Sequence, residues 1–287
     1  MSRIVYVNGE FLPEAEAKIS IFDRGFLFAD GVYEVSSVIQ SKLIDNDRHM
    51  ARLRRSLNEL EMASPATDAE IEAIQYGLIE RNQLTEGMVY MQVTRGMADR
   101  DFIYPKDTAP SLVMFTQARN ILDTPQIRNG ISVITTDDIR WGRRDIKTVG
   151  LLAASMAKMI AKGAGADDAW MVEDELITEG SSNNAYIITH EGTLVTRQLG
   201  TEILPGITRQ AILKLADEIQ LKVEERPFTI SEAHQAKEAF STSASSFVMP
   251  VVKIDGHTIG DGRPGPIAQR LRELYVQTAM EDLGLAS

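Results

Sequence analysis

Most of the information about this fold lies in RWGRRDIK, residues 140–147, and in TEGSSN, residues 178–183. Each stretch contains one residue of particular interest, Lys147 in the first and Glu179 in the second. Neither residue is diagnostic alone, because an isolated lysine is nearly always a solvated surface charge and an isolated glutamate is read as a loop carboxylate. Their meaning depends on their neighbours and on a third stretch further along the chain.

A lysine and a carboxylate placed in this way suit an enzyme that holds pyridoxal phosphate. The lysine of such an enzyme forms an imine with the aldehyde of the cofactor. The carboxylate faces the ring nitrogen and keeps it protonated, so that the ring can take up electrons from a carbanion. On this interpretation Lys147 and Glu179 are the catalytic residues, and both also bind the cofactor.

The third stretch is LPGITR, residues 204–209, in which a Pro-Gly turn leads directly into a predicted helix. The N–H groups of a first helical turn and the helix dipole together form an anion site, and the Thr208 hydroxyl can donate to the same anion. Taken alone, this stretch is better explained as ordinary capping of a helix by a turn. A phosphate site is favoured only in combination with Lys147 and Glu179.

Arg52 is a further candidate for phosphate binding, because a guanidinium can contact a phosphate through two parallel hydrogen bonds. It lies in a predicted helix close to Arg48, Arg54 and Arg55. A solvated basic face of that helix explains the same residues equally well, and the sequence leaves both explanations open.

The composition is that of a soluble globular protein large enough for two domains. The chain has 287 residues, of which 44% are hydrophobic and 25% charged, and its formal net charge is -11. An acidic chain has no basic excess with which to release counterions from DNA or RNA, so we expect no binding to nucleic acid. A local basic pocket for a small anionic substrate remains compatible with this balance.

Residue counts also exclude several kinds of site and location. The chain has no cysteine, which rules out disulfides and thiolate chemistry, and its four histidines are scattered, so we expect no metal site. The first residues are too poor in apolar side chains for a signal peptide, and no run reaches the ~18 apolar residues of a membrane span. We therefore expect a cytoplasmic protein that does not bind membranes.

The first half of the chain reads as a sheet with helices on one side. Asn8-Gly9 predicts a hairpin turn, and Thr67 with Glu70 predicts a capping box at the start of a helix. The predicted strands are 3–7, 18–22, 32–40, 89–94 and 112–116. The predicted helices are 47–62 and 67–82.

The second half predicts a further sheet with its own helices. Residues 119–125 lack periodicity and are the best candidate for an interdomain linker. Asp255-Gly256 predicts another hairpin turn. Strands are predicted at 131–135, at several places within 169–195, at 240–243 and at 248–254. Helices are predicted at 151–164, 207–219 and 266–281.

The chain resembles the class IV aminotransferases, the pyridoxal phosphate enzymes of fold type IV. The resemblance implies an α+β fold of two domains with pyridoxal 5'-phosphate at the domain interface. We expect a small N-terminal α/β domain at 1–118, the linker at 119–125 and a larger cofactor-binding domain at 126–287. The matching segments follow the order of the family and are 23–25, 30–35, 49–53, 92–96, 145–147, 178–183, 204–209, 241–251 and 254–256.

Within the family, the likeness is to D-amino-acid aminotransferase. Tyr33, in GVYEV at residues 31–35, favours that branch, since branched-chain enzymes usually have phenylalanine there. The loop at 95–102 favours it as well, because in that branch an arginine matching Arg100 binds the substrate α-carboxylate together with the matching tyrosine. That arginine reaches in from the neighbouring subunit, so the resemblance implies a homodimer with shared active sites.

Two positions depart from the family pattern. Phe102 stands where a histidine is expected, so the predicted carboxylate site has one donor fewer. Ala244 stands where a threonine usually contacts the phosphate, a contact left to Ser243, to Ser245 or to a backbone N–H. By the same resemblance, Leu204 presses on one face of the cofactor ring, and the phosphate-binding residues are Arg52, Ile207, Thr208, Ser243 and Ala244.

The resemblance implies transamination of D-amino acids with a 2-oxo acid, pyruvate or 2-oxoglutarate, in ping-pong order. Other activities of the family remain as alternatives: branched-chain L-amino-acid or (R)-amine transamination, or the aminodeoxychorismate lyase reaction. A different class of protein also remains, either a non-catalytic carrier of pyridoxal phosphate or an α+β protein in which Lys147 is only a surface charge.

Overall fold

The computed structural model of the protein describes residues 2–285. Within it the chain forms two compact units. The first runs to Asn120 and includes Ile146–Gly150, and the second comprises Ile121–Asp145 and the chain from Leu151 onwards. The main break thus lies inside the stretch predicted as a linker. A single linker does not account for the return of Ile146–Gly150 to the first unit.

The strands of the first unit are β1 (Ile4–Val7), β2 (Glu10–Pro13), β3 (Gly31–Ile39), β4 (Lys42–Leu43), β5 (Glu86–Thr94) and β6 (Ser111–Ala118), and its helices are α1 (Arg24–Phe28), α2 (Asn46–Glu59) and α3 (Asp68–Arg81). The strands of the second unit are β7 (Ile131–Asp137), β8 (Asp168–Glu173), β9 (Leu176–Gly180), β10 (Asn184–Ile188), β11 (Leu194–Thr196), β12 (Val223–Glu225), β13 (Glu238–Ser243), β14 (Phe247–Ile254) and β15 (His257–Thr258). Its helices are α4 (Pro125–Asn129), α5 (Leu152–Gly163), α6 (Ile207–Glu218), α7 (Ile230–His234) and α8 (Pro266–Asp282).

The first unit is built on an antiparallel sheet of order β2-β1-β6-β5-β3-β4. One face packs against α2 and α3, and the shared core includes Leu53, Leu57, Ile71, Leu78 and Met91. Because successive residues of a strand point to opposite faces, the other face carries a different set of side chains. Tyr33, Tyr90 and Phe115 lie on that second face.

The segment Ile146–Gly150 lies along β3 as an additional short partner. The N–H of Tyr33 donates to the carbonyl of Lys147 over 3.0 Å, and the N–H of Val149 donates to the carbonyl of Gly31 over 3.0 Å. Ile146 is buried in the core of the first unit. Lys147 is therefore held by backbone pairing and by the burial of its neighbour.

The second unit contains a mixed sheet of order β12-β11-β10-β13-β14-β7-β8-β9, with β15 paired to β14. Its core includes Trp170, Ile177, Phe228 and Val251. The first turn of α6 follows a Pro-Gly turn as the sequence predicts. Among residues 2–285, no helix is both long and apolar enough to cross a lipid bilayer.

Several local predictions are confirmed. Asn8 and Gly9 both have positive φ, of 46° and 106°, and join two antiparallel strands. Thr67 and Glu70 form the predicted capping box at the start of α3. Asp255 and Gly256 form the second hairpin turn, between β14 and β15.

The strand predicted at 18–22 is wrong. This segment pairs with no strand of the described residues, and its apolar side chains are exposed, Ile21 by 69% and Phe22 by 51%. Alternating apolar residues form a half-buried strand only where a neighbouring strand offers hydrogen bonds. The short helices α1, α4 and α7 are additional elements that the periodicity did not predict.

Candidate active site

Lys147 lies close to Tyr33 in the first unit. Its Nζ is 4.2 Å from the centroid of the Tyr33 ring, and its backbone N–H points to Ser56 Oγ at 3.4 Å. The side chain is half-buried. A lysine held against an aromatic ring by a paired backbone differs from a mobile surface charge, and the predicted catalytic amine and a predicted substrate-binding residue are brought together.

Tyr33 begins a row of aromatic rings on the open face of the sheet. Its ring stacks on Tyr90 at 5.6 Å, and Tyr90 stacks on Phe115 at 4.7 Å. The hydroxyl of Tyr90 donates to Gln92 Oε1 over 2.8 Å. Burial, with a smaller contribution from Tyr33, raises the pKa of Tyr90 well above its usual value, so this phenol stays neutral. The row gives Tyr33 a rigid support.

Arg52 is buried, which excludes the solvated basic face as its explanation. Its Nε and Nη2 bind Glu34 over 2.8 and 2.7 Å, and His49 contacts the same carboxylate at 2.7 Å. Burial by itself would raise the pKa of Glu34, but Arg52 and His49 outweigh it and lower that pKa to about 2. Glu34 therefore fixes the guanidinium of Arg52.

Glu179 lies on β9 in the second unit and is 3% exposed. Arg140 Nη1 donates to its Oε1 over 2.5 Å, Asn184 Nδ2 donates to its Oε2 over 2.8 Å, and the N–H of Leu204 lies 3.2 Å from Oε2. Burial raises the pKa of Glu179, whereas Arg140 and the Leu204 N–H act in the opposite direction. The carboxylate is thus fixed by three neighbours.

Asp138 stands behind Arg140 and was not singled out from the sequence. It accepts from Arg140 Nη2 over 2.6 Å and from the hydroxyl of Thr178 over 2.7 Å. Asn184 was missed as well, although it follows the quoted stretch at once and also donates to the carbonyl of Leu204 over 3.0 Å. The only available signal was the density of charged and amide residues around the two quoted stretches.

The start of α6 has the properties of an anion site. Its N-cap is Gly206, so no side chain caps the first turn. A Cβ at Gly206 would lie 2.1 Å from Oδ1 of the buried Asn184, so this position favours glycine. The Thr208 hydroxyl is buried and has no hydrogen-bond partner in the described residues. Buried hydroxyls are normally paired, so an unpaired one beside an uncapped helix start suits an anionic group.

Ser243 ends β13, and Thr242 beside it pairs in register with Asn184. This register places Ser243 at the same end of the sheet as Asn184 and the start of α6. Its hydroxyl lies 2.7 Å from Ser246 Oγ and 3.4 Å from Ser245 Oγ. Within the second unit, the fold thus brings together Glu179, Leu204, Thr208 and Ser243.

This set of groups fits pyridoxal phosphate. An uncapped helix start with a buried, unpaired hydroxyl suits the phosphate, and a buried carboxylate suits a protonated ring nitrogen. Ile207 is buried in the first turn of α6, and Leu204 is half-buried beside Glu179. The fit rests on donor chemistry and on the unpaired hydroxyl.

Arg100 and Phe102 lie in an exposed loop of the first unit, and Phe102 is 77% exposed. The Phe102 ring is 5.6 Å from the ring of Phe28. The Arg100 guanidinium carbon is 5.4 Å from the Phe28 centroid and 5.5 Å from the Phe102 centroid. The residue that replaces the expected histidine thus contacts the predicted carboxylate-binding arginine.

Comparison with known proteins agrees with this geometry. A family model described as amino-transferase class IV matches residues 31–254. The D-alanine aminotransferase of Bacillus licheniformis is 39% identical over 97% of this chain and 96% of its own length, and that of Staphylococcus aureus (strain MSSA476) is 38% identical over 94% and 95%. These relatives cover nearly the whole chain.

Solved structures show the same fold. The branched-chain amino acid aminotransferase from Escherichia coli superposes with a TM-score of 0.89 at 21% identity, over 100% of this chain and 96% of that one. The branched-chain aminotransferase from the archaeon Thermoproteus uzoniensis, solved with norvaline, gives a TM-score of 0.87 at 23% identity, over 98% and 96%. The predicted α+β fold is therefore confirmed.

Proposed function

Since this chain belongs to the class IV aminotransferases and is a D-amino-acid transaminase, we propose that it accepts D-alanine and related donors and passes their amino group to pyruvate or 2-oxoglutarate. The two half-reactions follow in ping-pong order on one site. The observation that carries this proposal is the position of Lys147 Nζ, 4.2 Å from the ring of Tyr33. A proton-transferring amine and a carboxylate-binding phenol are thereby adjacent.

The cofactor of this family is pyridoxal 5'-phosphate, which supplies an aldehyde that condenses with amines and a ring that accepts electrons from a carbanion. Lys147 Nζ would hold the cofactor between turnovers. Once free, it would take the proton from the substrate Cα and pass it to the cofactor carbon that carries the amino group. Glu179 keeps a proton at the ring nitrogen. Arg140 and Asn184 orient Glu179 through the bonds described above.

The phosphate is assigned to the start of α6. The Thr208 hydroxyl and the backbone N–H groups of Ile207 and its neighbours donate to it, which agrees with the unpaired state of that hydroxyl. Ser243 and the backbone of Ala244 supply the contact that a threonine makes elsewhere in the family. We also assign Arg52 of the first unit to phosphate binding, with Glu34 holding its guanidinium in place.

Arg100 and Tyr33 bind the α-carboxylate of the substrate. The position of the carboxylate decides which hydrogen of Cα faces Lys147, and hence whether D- or L-amino acids react. Phe102 cannot donate a hydrogen bond as a histidine would. This difference favours some secondary activity toward (R)-amines, which have no carboxylate to bind.

The protein acts as a homodimer. Both units expose apolar side chains that a second copy would cover: Phe22, Phe26, Phe102 and Ile103 in the first, and Leu152, Met156, Met159 and Ile160 in the second. Apolar surface of this kind marks protein interfaces. On the resemblance to the family, Arg100 serves the site of the neighbouring subunit. Sedimentation of the holoenzyme tests this assignment, and a monomer active at all concentrations would contradict it.

A panel of amino donors tests the proposed function. We expect turnover with D-alanine, little with (R)-phenylethylamine and none with L-leucine, each measured with pyruvate and with 2-oxoglutarate. Arg100→Ala should raise KM for D-alanine far more than for (R)-phenylethylamine. Arg263→Ala, at an arginine of the second unit, is the matched control. Preference for L-leucine would favour the branched-chain alternative, and equal effects on both donors would remove Arg100 from the carboxylate site.

A further inference from the structure

Residues 97–104, called the arm here, carry Arg100 and are attached at three points. Met97 forms a bridge with Asp23 at the start of the arm. Arg24 Nη1 donates to the carbonyl of Asp101 over 2.6 Å in its middle. At its end, the guanidinium of Arg95 lies 3.6 Å from the centroid of Tyr104. An exposed loop fixed at both ends and in the middle has a defined conformation.

The middle attachment is itself rigid. Arg24 is 2% exposed, and its Nε donates to Asp30 Oδ2 over 2.7 Å. The same carboxylate oxygen accepts from Arg95 Nε over 2.8 Å. Asp30 thus holds the two arginines that contact the arm. Because the carbonyl of Asp101 lies between Arg100 and Phe102 in the chain, fixing it sets the direction of both side chains.

Phe28 connects Arg24 to the tip of the arm. The Arg24 guanidinium lies 4.6 Å from its ring centroid, and the Arg100 guanidinium lies 5.4 Å from the same centroid. Phe102 contacts both Phe28 and Arg100. Arg100 therefore lies within cation–π range of two rings that touch each other. Among residues 2–285 its guanidinium makes no hydrogen bond, so its N–H donors remain available.

We propose that Phe28 and Phe102 are positioning residues that hold the Arg100 guanidinium by its faces, and that Arg24 fixes this pair of rings against the arm. A guanidinium bound by its face keeps its N–H edge for bidentate contact with a carboxylate. The proposal rests on the function proposed above. It makes Phe102 a determinant of specificity for carboxylate-bearing donors, because the ring replaces a lost hydrogen bond with support for the arginine.

This arrangement also differs from a histidine in its response to pH. An imidazole at this position would change charge near neutral pH, whereas a phenyl ring has no proton to lose. The affinity of this enzyme for the substrate carboxylate then does not change with pH through residue 102. Phe102→His should introduce one, visible as a new dependence of KM for D-alanine on pH between about 6 and 7.

The test compares Phe102→Leu, Phe28→Leu and Phe102→Tyr with the parent holoenzyme. Leucine keeps an apolar side chain but removes the ring face, whereas tyrosine keeps the ring face. With a cation–π contact contributing about 0.5–2 kcal/mol, the two leucine variants should raise KM for D-alanine about 2- to 30-fold, with kcat nearly unchanged. KM for (R)-phenylethylamine should not change in the two leucine variants. Phe102→Tyr should have the same KM for D-alanine as the parent. The affinity for acetate, followed by cofactor absorbance, should fall in parallel.

Phe11→Leu is the matched control, because it removes a similar contact between a ring and a guanidinium away from the arm. The guanidinium carbon of Arg81 lies 4.1 Å from the centroid of the Phe11 ring. Thermal unfolding should show that Phe102→Leu folds normally, because leucine keeps an apolar side chain at a position that we assign to the dimer interface. Arg100→Leu separates the possible outcomes. If it raises KM for D-alanine selectively while both leucine variants at 28 and 102 leave it unchanged, the ring support is refuted and the proposed function stands. If Arg100→Leu changes KM for D-alanine and for (R)-phenylethylamine equally, Arg100 does not bind the carboxylate, and the proposal about the two rings fails as well.

Discussion

Arg140 Nη1 donates to Glu179 Oε1 over 2.5 Å, and the two side chains are only 16% and 4% exposed. Removing a carboxylate from water favours its protonated form, and a buried guanidinium at this distance favours the charged form. The charge of Glu179 therefore depends on Arg140. Asp138 on the far side of Arg140 extends the pair into a short chain of alternating charges.

Arg140→Met should lower both stability and activity. Breaking a buried ion pair costs about 3–5 kcal/mol, because the remaining charge is left without a partner. The pKa of Glu179, already raised by burial, should rise further in the variant. The loss in unfolding free energy should therefore grow as pH rises above the ordinary glutamate value of 4.5, because Glu179 must lose its proton in the folded protein. Urea denaturation of parent and variant at several pH values measures this loss of unfolding free energy. A loss that does not depend on pH would contradict the conclusion that Arg140 favours the ionised form of Glu179.

Lys147→Ala should abolish turnover, because no other amine replaces Lys147 in moving the substrate proton. Lys162→Ala, at an exposed position late in α5, is the control and should keep full activity. Reducing the parent holoenzyme with borohydride and weighing its peptides locates the residue bonded to the cofactor. A cofactor mass on any peptide without Lys147, or a normal steady-state rate in the variant, would refute the role of this residue.

Thr208→Val should have opposite effects on the protein without and with cofactor. Without cofactor, the change removes a buried hydroxyl that has no partner among the described residues, so the free energy of unfolding should rise slightly. With cofactor, it removes a bond to a charged phosphate of about 1.5–3 kcal/mol, so affinity should fall roughly 10- to 100-fold. Cofactor titration and thermal unfolding measure the two effects.

Thr196→Val is the contrasting variant to Thr208→Val. The Thr196 hydroxyl donates to the carbonyl of Ala185 over 2.9 Å, so its loss should destabilise the protein and leave cofactor affinity unchanged. Unchanged affinity in Thr208→Val would remove this hydroxyl from the phosphate site.

Glu34→Gln should show its largest effect near neutral pH. The folded pKa of Glu34 is about 2, below the ordinary value of 4.5, so the ionised carboxylate stabilises the folded state. That contribution, of about 3 kcal/mol, is complete above the unfolded pKa and is lost as pH falls from about 5 to 2. The difference in unfolding free energy between parent and variant should shrink over this range. A constant difference would show that Arg52 and His49 do not stabilise the ionised form.

The sequence was sufficient for the parts of the fold that depend on local rules. Asn8-Gly9, the Thr67 capping box and the start of α6 depend on the conformational preferences of a few adjacent residues, and each forms as predicted. The segment 18–22 has the alternation of a strand, yet it does not form one because pairing depends on distant parts of the chain.

In the candidate site, too, some residues can be recognised from the local sequence and others only from the folded structure. Lys147, Glu179 and Thr208 stand in short stretches with recognisable spacing, and their assignment as site residues remains a prediction. Asp138 contacts Arg140 and Thr178, and Asn184 contacts Glu179 and Leu204. These contacts depend on the order of strands. Burial excludes the solvated basic face as the explanation of Arg52, which a helix sequence rich in arginine does not reveal, and its contact with phosphate remains a prediction.

The return of Ile146–Gly150 to the first unit has a consequence for biosynthesis. A polypeptide that stops at Asn120 would lack the Ile146 side chain from its interior, and the amide of Tyr33 would lack its acceptor. The N-terminal half therefore cannot mature on the ribosome until residue 150 has left the exit tunnel. Lys147, to which we assign the proton transfer, arrives with the last piece of that half, so a nascent chain that has completed this half also carries that amine.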